Sequence, residues 1–121
     1  SDDFVSFPET ERTSEGVHEI SLDTIFRILS VRLNPETVIN KNMNVWFSFL
    51  SGTRKPISIR NQVAAISDKI ADSCDISVKA TEFNFKMAIS GLTNPVMAIA
   101  TGDIEVNGSN TEFLNFLTYF R

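Results

Sequence analysis

The stretch TEFNFKMAISGLTNPVMAIATGDIEVNGSNTEFLNFLTYF, Thr81 to Phe120, decides the fold. It reads as helix, turn, helix, short strand, helix. Thr81 is an N-cap residue type, and Phe83, Phe85, Met87, Ala88, Ile89 and Leu92 behind it make a short apolar helix that stops at Gly91. Asn94-Pro95 restarts a helical turn, because proline is tolerated at the first helical position, and Gly102 ends it. Ile104 and Val106 alternate with Asp103 and Glu105 in a strand closed by Asn107-Gly108. Ser109 then caps a C-terminal helix with a stripe of Phe113, Phe116, Leu117 and Phe120. The helix at 83–92 is apolar on two sides, since Phe83 and Met87 fall away from Phe85, Ala88 and Ile89. It is therefore sandwiched, or it lines something.

Working back from this stretch, Asp75 to Ala80 forms a strand with Ile76 and Val78 on its inner side. A polar loop, 67–74, precedes it. Val63 to Ile66 is a short strand after an Asn61-Gln62 turn, and Ile57 and Ile59 alternate with Ser58 and Arg60 in another. The clearest period of two lies at Met43, Val45, Phe47 and Phe49, with Asn44, Trp46, Ser48 and Leu50 on the opposite face; Ser51 to Lys55 is the hairpin loop that follows. Upstream, Ser21 caps a helix whose buried face is Leu22, Ile25, Phe26, Leu29 and Leu33, before Asn34-Pro35 breaks it and opens a further turn. Residues 1–20 read as a linker or N-terminal arm, with Phe4 and Phe7 as anchors, and 21–121 as one domain. The fold class is α+β: about five strands, mostly antiparallel, covered on one face by helices.

Ala88 to Pro95, followed by Thr101 to Gly108, resembles the helix, glycine and G-x-I-x-V-x-G strand signature of the sterol carrier protein-like fold. Asp23 to Asn34, with its V-R-L-N ending, is similar to the opening helix of the branch found as the C-terminal domain of alkyl sulfatases. The resemblance runs over residues 21 to 120. It departs from the family at Ser109, where an acidic residue is common, and in the 67–74 loop, which carries no motif. The family places the strand at Ile104 beside the one at Met43 or its neighbour. Alkyl sulfatases are zinc hydrolases of the metallo-beta-lactamase type, so the resemblance implies a preceding catalytic domain of the same polypeptide as a partner. It also implies an accessory role here: an apolar pocket for an alkyl or lipid ligand, lined by Phe26, Leu29, Phe47, Phe49, Phe83, Met87, Met97, Phe113, Phe116 and Phe120. A homodimer would come through the parent enzyme. From the residues alone, a phenylalanine stripe at helical spacing is ordinary core or the wall of a cavity, and both readings stay open.

Composition narrows the functional classes. Phenylalanine supplies 10 of the residues against one tryptophan and one tyrosine, which suits a dry interior or an apolar cavity because the ring has no polar group to satisfy. The 11 Lys and Arg are scattered and the net charge is −4, which disfavours a nucleic-acid partner or an anionic membrane surface. With one histidine, His18, and one cysteine, Cys74, far apart in sequence, no metal site is expected and no cofactor is implied. Nor does any acid, base and nucleophile set emerge, so the chain reads as non-catalytic on its own. Asp68, Asp72 and Asp75 lack the glycine and terminal glutamate of a calcium loop and read as a solvated loop. Trp46, away from the apolar face of its strand, covers the sheet's second face, packs under the arm or contacts a partner, and packing is the favoured expectation. A single cysteine excludes an intrachain disulfide and leaves cytosol and periplasm both open. Ser1 in place of an initiator methionine suggests an excised fragment. The competing function is a dimerisation or domain-docking module with no ligand pocket.

Overall fold

The computed structural model describes residues 14–66 and 73–120. Among these residues five helices, α1 (Ser14–Glu19), α2 (Leu22–Arg32), α3 (Glu82–Ile89), α4 (Pro95–Thr101) and α5 (Asn110–Thr118), accompany five strands, β1 (Met43–Phe49), β2 (Arg54–Arg60), β3 (Val63–Ile66), β4 (Ile76–Ala80) and β5 (Ile104–Asn107). A 3-10 turn, Pro35–Val38, links α2 to β1.

Local chemistry sets the helix starts. Ser21, Thr81 and Ser109 accept hydrogen bonds from the backbone N–H of Thr24, Asn84 and Glu112 at 3.2, 3.0 and 3.1 Å. Each satisfies a donor that the first turn leaves unpaired. Asn34 and Asn94 do the same for Glu36 and Val96, each with proline next in the chain. Gly102 closes α4 in the left-handed conformation at φ 83°.

The strands form one sheet in the order β3-β2-β1-β4-β5. Its three hairpin-type or neighbouring ladders are antiparallel, and β1 pairs with β4 in parallel, with Phe47 opposite Val78. The β5 strand joins β4, the neighbour of β1, with Val106 opposite Val78. At the β2–β3 turn, Asn61 and Gln62 both take positive φ, the conformation that lets a two-residue hairpin follow the strand twist. Asp75, expected in a solvated loop, clamps the start of the parallel pair: its carboxylate accepts from Asn44 N at 2.7 Å, and its own N–H donates to Asn44 O at 2.9 Å. Asp68 and Asp72 lie outside the described residues.

Because side chains alternate along each strand, Val45, Phe47, Phe49, Ile57, Ile59, Ile76, Val78 and Ile104 all turn to one face and are buried there under the helices. The motif glycine Gly108 has a steric reason. Its φ is 123°, and a Cβ there would lie 3.1 Å from the Asp75 carbonyl oxygen.

The segment read as an arm contributes α1 to the domain. This six-residue helix lies on α3, Val17 is 0% exposed, and the buried Lys86 of α3 donates from Nζ to the His18 carbonyl at 3.2 Å. A cation at the last turn of a helix complements its dipole. The second apolar side of α3 is thus partly covered by α1, with the His18 ring edge-on to Phe83 at 6.0 Å. Phe4 and Phe7 lie outside the described residues.

Candidate functional site

Seven of the ten sequence-predicted pocket residues meet in one cluster between helices and sheet. Phe26 and Leu29 come from α2, Phe47 and Phe49 from β1, Phe113 and Phe116 from α5, and Phe120 from the turn after it; all are buried. Ring contacts run through the group. Phe47 lies 5.3 Å from Phe26 and 6.0 Å from Phe116, and Phe116 lies 4.9 Å from Phe120, centroid to centroid. Most of these pairs are edge-on, the arrangement the ring quadrupole favours. Phe83 and Met97 stand elsewhere, 43% and 57% exposed, and Met87 is half-buried.

Phe85 is the member that sequence reasoning left out. It stacks on Phe26 at 5.5 Å with an interplanar angle of 3°, and meets Phe47 and Phe49 edge-on at 5.2 and 5.3 Å. The signal for it was the i, i+3, i+4 spacing of Phe85, Ala88 and Ile89, which marks the core-facing side of α3 and leaves Phe83 outside.

Phe26, buried in the cluster, also lines a surface cleft. A cleft of about 420 Å³ opens between α2 and the β2–β3 side of the sheet, with Asp23, Phe26, Arg27 and Ser30 on one wall, Lys55 opposite, and Ala64, Ala65 and Ile66 along the third side. It falls within the range of roughly 300–1,000 Å³ usual for small-molecule sites. The small side chain of Ala64, opposite Ile59 on the helix-covered face, leaves the space open. Lys55 pairs with Asp23 across the cleft, and this hydrogen bond and charge lower the Asp23 carboxyl below its ordinary pKa. A second, apolar groove of about 250 Å³ lies between α4 and α5, lined by Pro95, Val96, Leu114 and Leu117 among others. Beside it Leu92, Val96 and Met97 expose apolar surface.

On the sheet's other face Trp46 lies opposite Pro56 and Ser77, half-buried, with its Nε1 shielded from solvent and without a hydrogen-bond partner among the described residues. Cys74 is partly buried, and desolvation, reinforced by the Asp75 charge, raises its thiol pKa. Among the described residues no three His, Cys, Asp or Glu side chains gather as metal ligands. No helix among them is long and apolar enough to cross a membrane.

A mixed five-stranded sheet with its helices on one side, closed by an aromatic cluster, is a sterol carrier protein-like domain. The chain belongs to the alkyl sulfatase C-terminal family, whose model matches residues 11–121. Among solved structures, it is similar to the stereoselective inverting sec-alkylsulfatase Pisa1 from Pseudomonas sp., at a TM-score of 0.77 and 18% identity, over 85% of this chain and 17% of that one. It is also similar to the UbiJ-SCP2 ubiquinone synthesis protein, at 0.64 and 15% identity, over 80% and 90% of the two chains. A third likeness is to palmitated SCP2L2 from Aedes aegypti, at 0.54 and 18% identity, over 83% and 96%. The chain thus spans about a sixth of the alkyl sulfatase and nearly the whole of the sterol carrier proteins. No curated protein sequence matches it.

Proposed function

We propose that this domain is a non-catalytic binding module for alkyl or lipid chains, which recruits the aliphatic substrate of an alkyl sulfatase-like hydrolase. The observation that carries the reading is the aromatic cluster centred on Phe47, seven phenylalanines drawn from α2, β1, α3, α5 and the turn after α5, with Phe26 lining an open cleft. A family tied to alkyl sulfatases and a fold shared with a palmitated sterol carrier protein support it.

The rings are packed against one another, so a tail enters by displacing them. Burying ten methylenes gains roughly 8 kcal/mol at ~0.8 kcal/mol each. Each core side chain forced off its packing costs typically about 1–3 kcal/mol, so a tail must bury many methylenes to offset the rings it displaces. The balance favours uptake of long chains and rejects short ones. In this reading α2 parts from the edge strand β3, where the small Ala64 faces the helix side. The partner in this reading is a preceding catalytic domain of the same polypeptide, which carries out the hydrolysis.

The test is displacement of an environment-sensitive apolar dye by decyl and dodecyl sulfate below their micelle-forming concentrations. Saturable displacement at one equivalent supports the module, and absence of displacement with an intact fold removes it. A second reading, a domain-docking surface without a pocket, draws on the exposed Leu92, Val96 and Met97 around α4. A docking module would leave the dye in place and bind the separately produced catalytic domain through that face.

A further inference from the structure

We propose that the cleft between α2 and the β2–β3 side of the sheet receives an anionic head group, with Arg27 and Lys55 as its charge contacts, while the tail passes Phe26 into the aromatic cluster. This rests on the alkyl-binding reading and adds a polarity to it: the ligand is an anionic amphiphile, oriented head outward at this edge of the sheet.

Helical geometry brings the parts together. Asp23, Arg27 and Ser30 recur at i, i+4 and i+7, so they follow one line along α2, while Phe26 sits one position inward. Lys55 faces them from β2. It pairs with Phe47 across the β1–β2 ladder and so turns to the helix side of the sheet, at the rim of the aromatic cluster. A cation thus stands next to the residue at the centre of the ring contacts. The cleft is lined by two cations and one carboxylate. Among the described residues Lys55 is paired with Asp23, and Arg27 makes no ion pair. The guanidinium is exposed at the mouth, with a fork of donors that suits the oxygens of a sulfate or a carboxylate. Ser30 adds a hydroxyl, which donates to the Arg27 carbonyl at 2.7 Å and retains acceptor capacity only, so the charge contacts fall to the two cations.

Position makes the cleft the entrance to the cluster. Phe26 lines it while stacking on Phe85 and touching Phe47 and Phe49. An amphiphile whose head rests on Arg27 places its first methylenes against this ring. The Asp23 carboxylate competes with the incoming head group for Lys55, which makes the ion pair a brake on binding. This gives opposite expectations for two substitutions on the same helix, one losing affinity and one gaining it, and unfolding cannot produce both.

The experiment is calorimetric titration of the full chain with dodecyl sulfate, dodecanoate, dodecanol and dodecyltrimethylammonium, each below its micelle-forming concentration. The proposal predicts that both anions bind more tightly than dodecanol, and the ammonium more weakly. Exposed charge contacts of this kind change affinity by about two- to fivefold each. Arg27→Gln should cut the affinity for dodecyl sulfate by that factor with dodecanol unchanged, Arg27→Lys should restore most of it, and Asp23→Asn should raise it. Added salt should erode the preference for anions and leave dodecanol alone. A difference between dodecyl sulfate and dodecanoate would tell which oxyanion the cleft prefers, either result supporting an anionic site. Equal binding of all four heads, or no effect of Arg27→Gln and Asp23→Asn, overturns the head-group site and leaves the alkyl-binding reading standing. No binding by any of the four overturns both.

Discussion

Phe47→Ala removes the ring on which the helical layer converges. Phe47 is buried at the middle of the sheet, with Phe85 at 5.2 Å, Phe26 at 5.3 Å, Phe116 at 6.0 Å and Phe113 at 6.5 Å. Truncating a buried phenylalanine costs about 3–5 kcal/mol, and the cost is larger when the surroundings cannot collapse into the gap. Here the surrounding rings are held by α2, α3 and α5 separately, so closing the gap means moving three helices. The upper half of that range is expected, set against a total stability of roughly 5–15 kcal/mol for a domain. The assay is urea unfolding followed by Trp46, the only tryptophan, which neighbours Phe47 on the opposite face of β1. The midpoint should fall with the slope unchanged, because the same surface is exposed on unfolding. A double-mutant cycle with Phe85→Ala should show coupling of about 0.5–1.5 kcal/mol, as contacting aromatic pairs do. Met97→Ala, at an exposed site, should stay within about 0.5 kcal/mol of the parent. A loss below about 1 kcal/mol for Phe47→Ala, or no coupling to Phe85, would refute the packing argument.

Gly108→Ala places a Cβ at 3.1 Å from the Asp75 carbonyl in a backbone region hostile to side chains, so it should cost about 1–3 kcal/mol in the same unfolding assay, with Asn107→Ala as a near-neutral control. Lys86→Met keeps the apolar stem but removes the hydrogen bond to the His18 carbonyl; it should lower stability by about 1–2 kcal/mol and speed amide exchange in residues 15–20, leaving β-strand exchange slower than that of α1. The raised thiol pKa of Cys74 predicts slower alkylation by iodoacetamide at neutral pH than for an unperturbed cysteine, increasing as pH climbs through the folded-state value. Because folding raises this pKa, the associated stability is present below the unfolded thiol value and is lost as pH rises past it.

What sequence made legible was whatever is decided within a few residues. Ser21, Thr81 and Ser109 announce helix starts through their own side chains, and all three cap as expected; Asn94, read only as the residue before the helix-opening Pro95, caps as well. Alternation at Met43 to Phe49 marks a half-buried strand because each residue there has one face to choose. The α1 helix was not legible, since SEGVHE carries one apolar residue and only packing on α3 stabilises it. Nor was the parallel β1–β4 pair, which joins segments with two strands between them. At the candidate site the residue types were readable but their assignment to faces was not complete: Phe83 and Phe85 are two residues apart on an apolar helix, and tertiary contact decides that Phe85 enters the cluster. The Asp23–Lys55 pair bridges 32 residues and left no local trace.

The central claim is that this domain takes up alkyl chains. The measurement that tests it most directly is a calorimetric titration with alkyl sulfates of increasing length, each below its micelle-forming concentration. Burial of about 0.8 kcal/mol per methylene predicts saturable binding that tightens roughly fourfold with each added carbon until the tail outgrows the cluster. Affinity independent of chain length, or no saturable binding at any length, would contradict it.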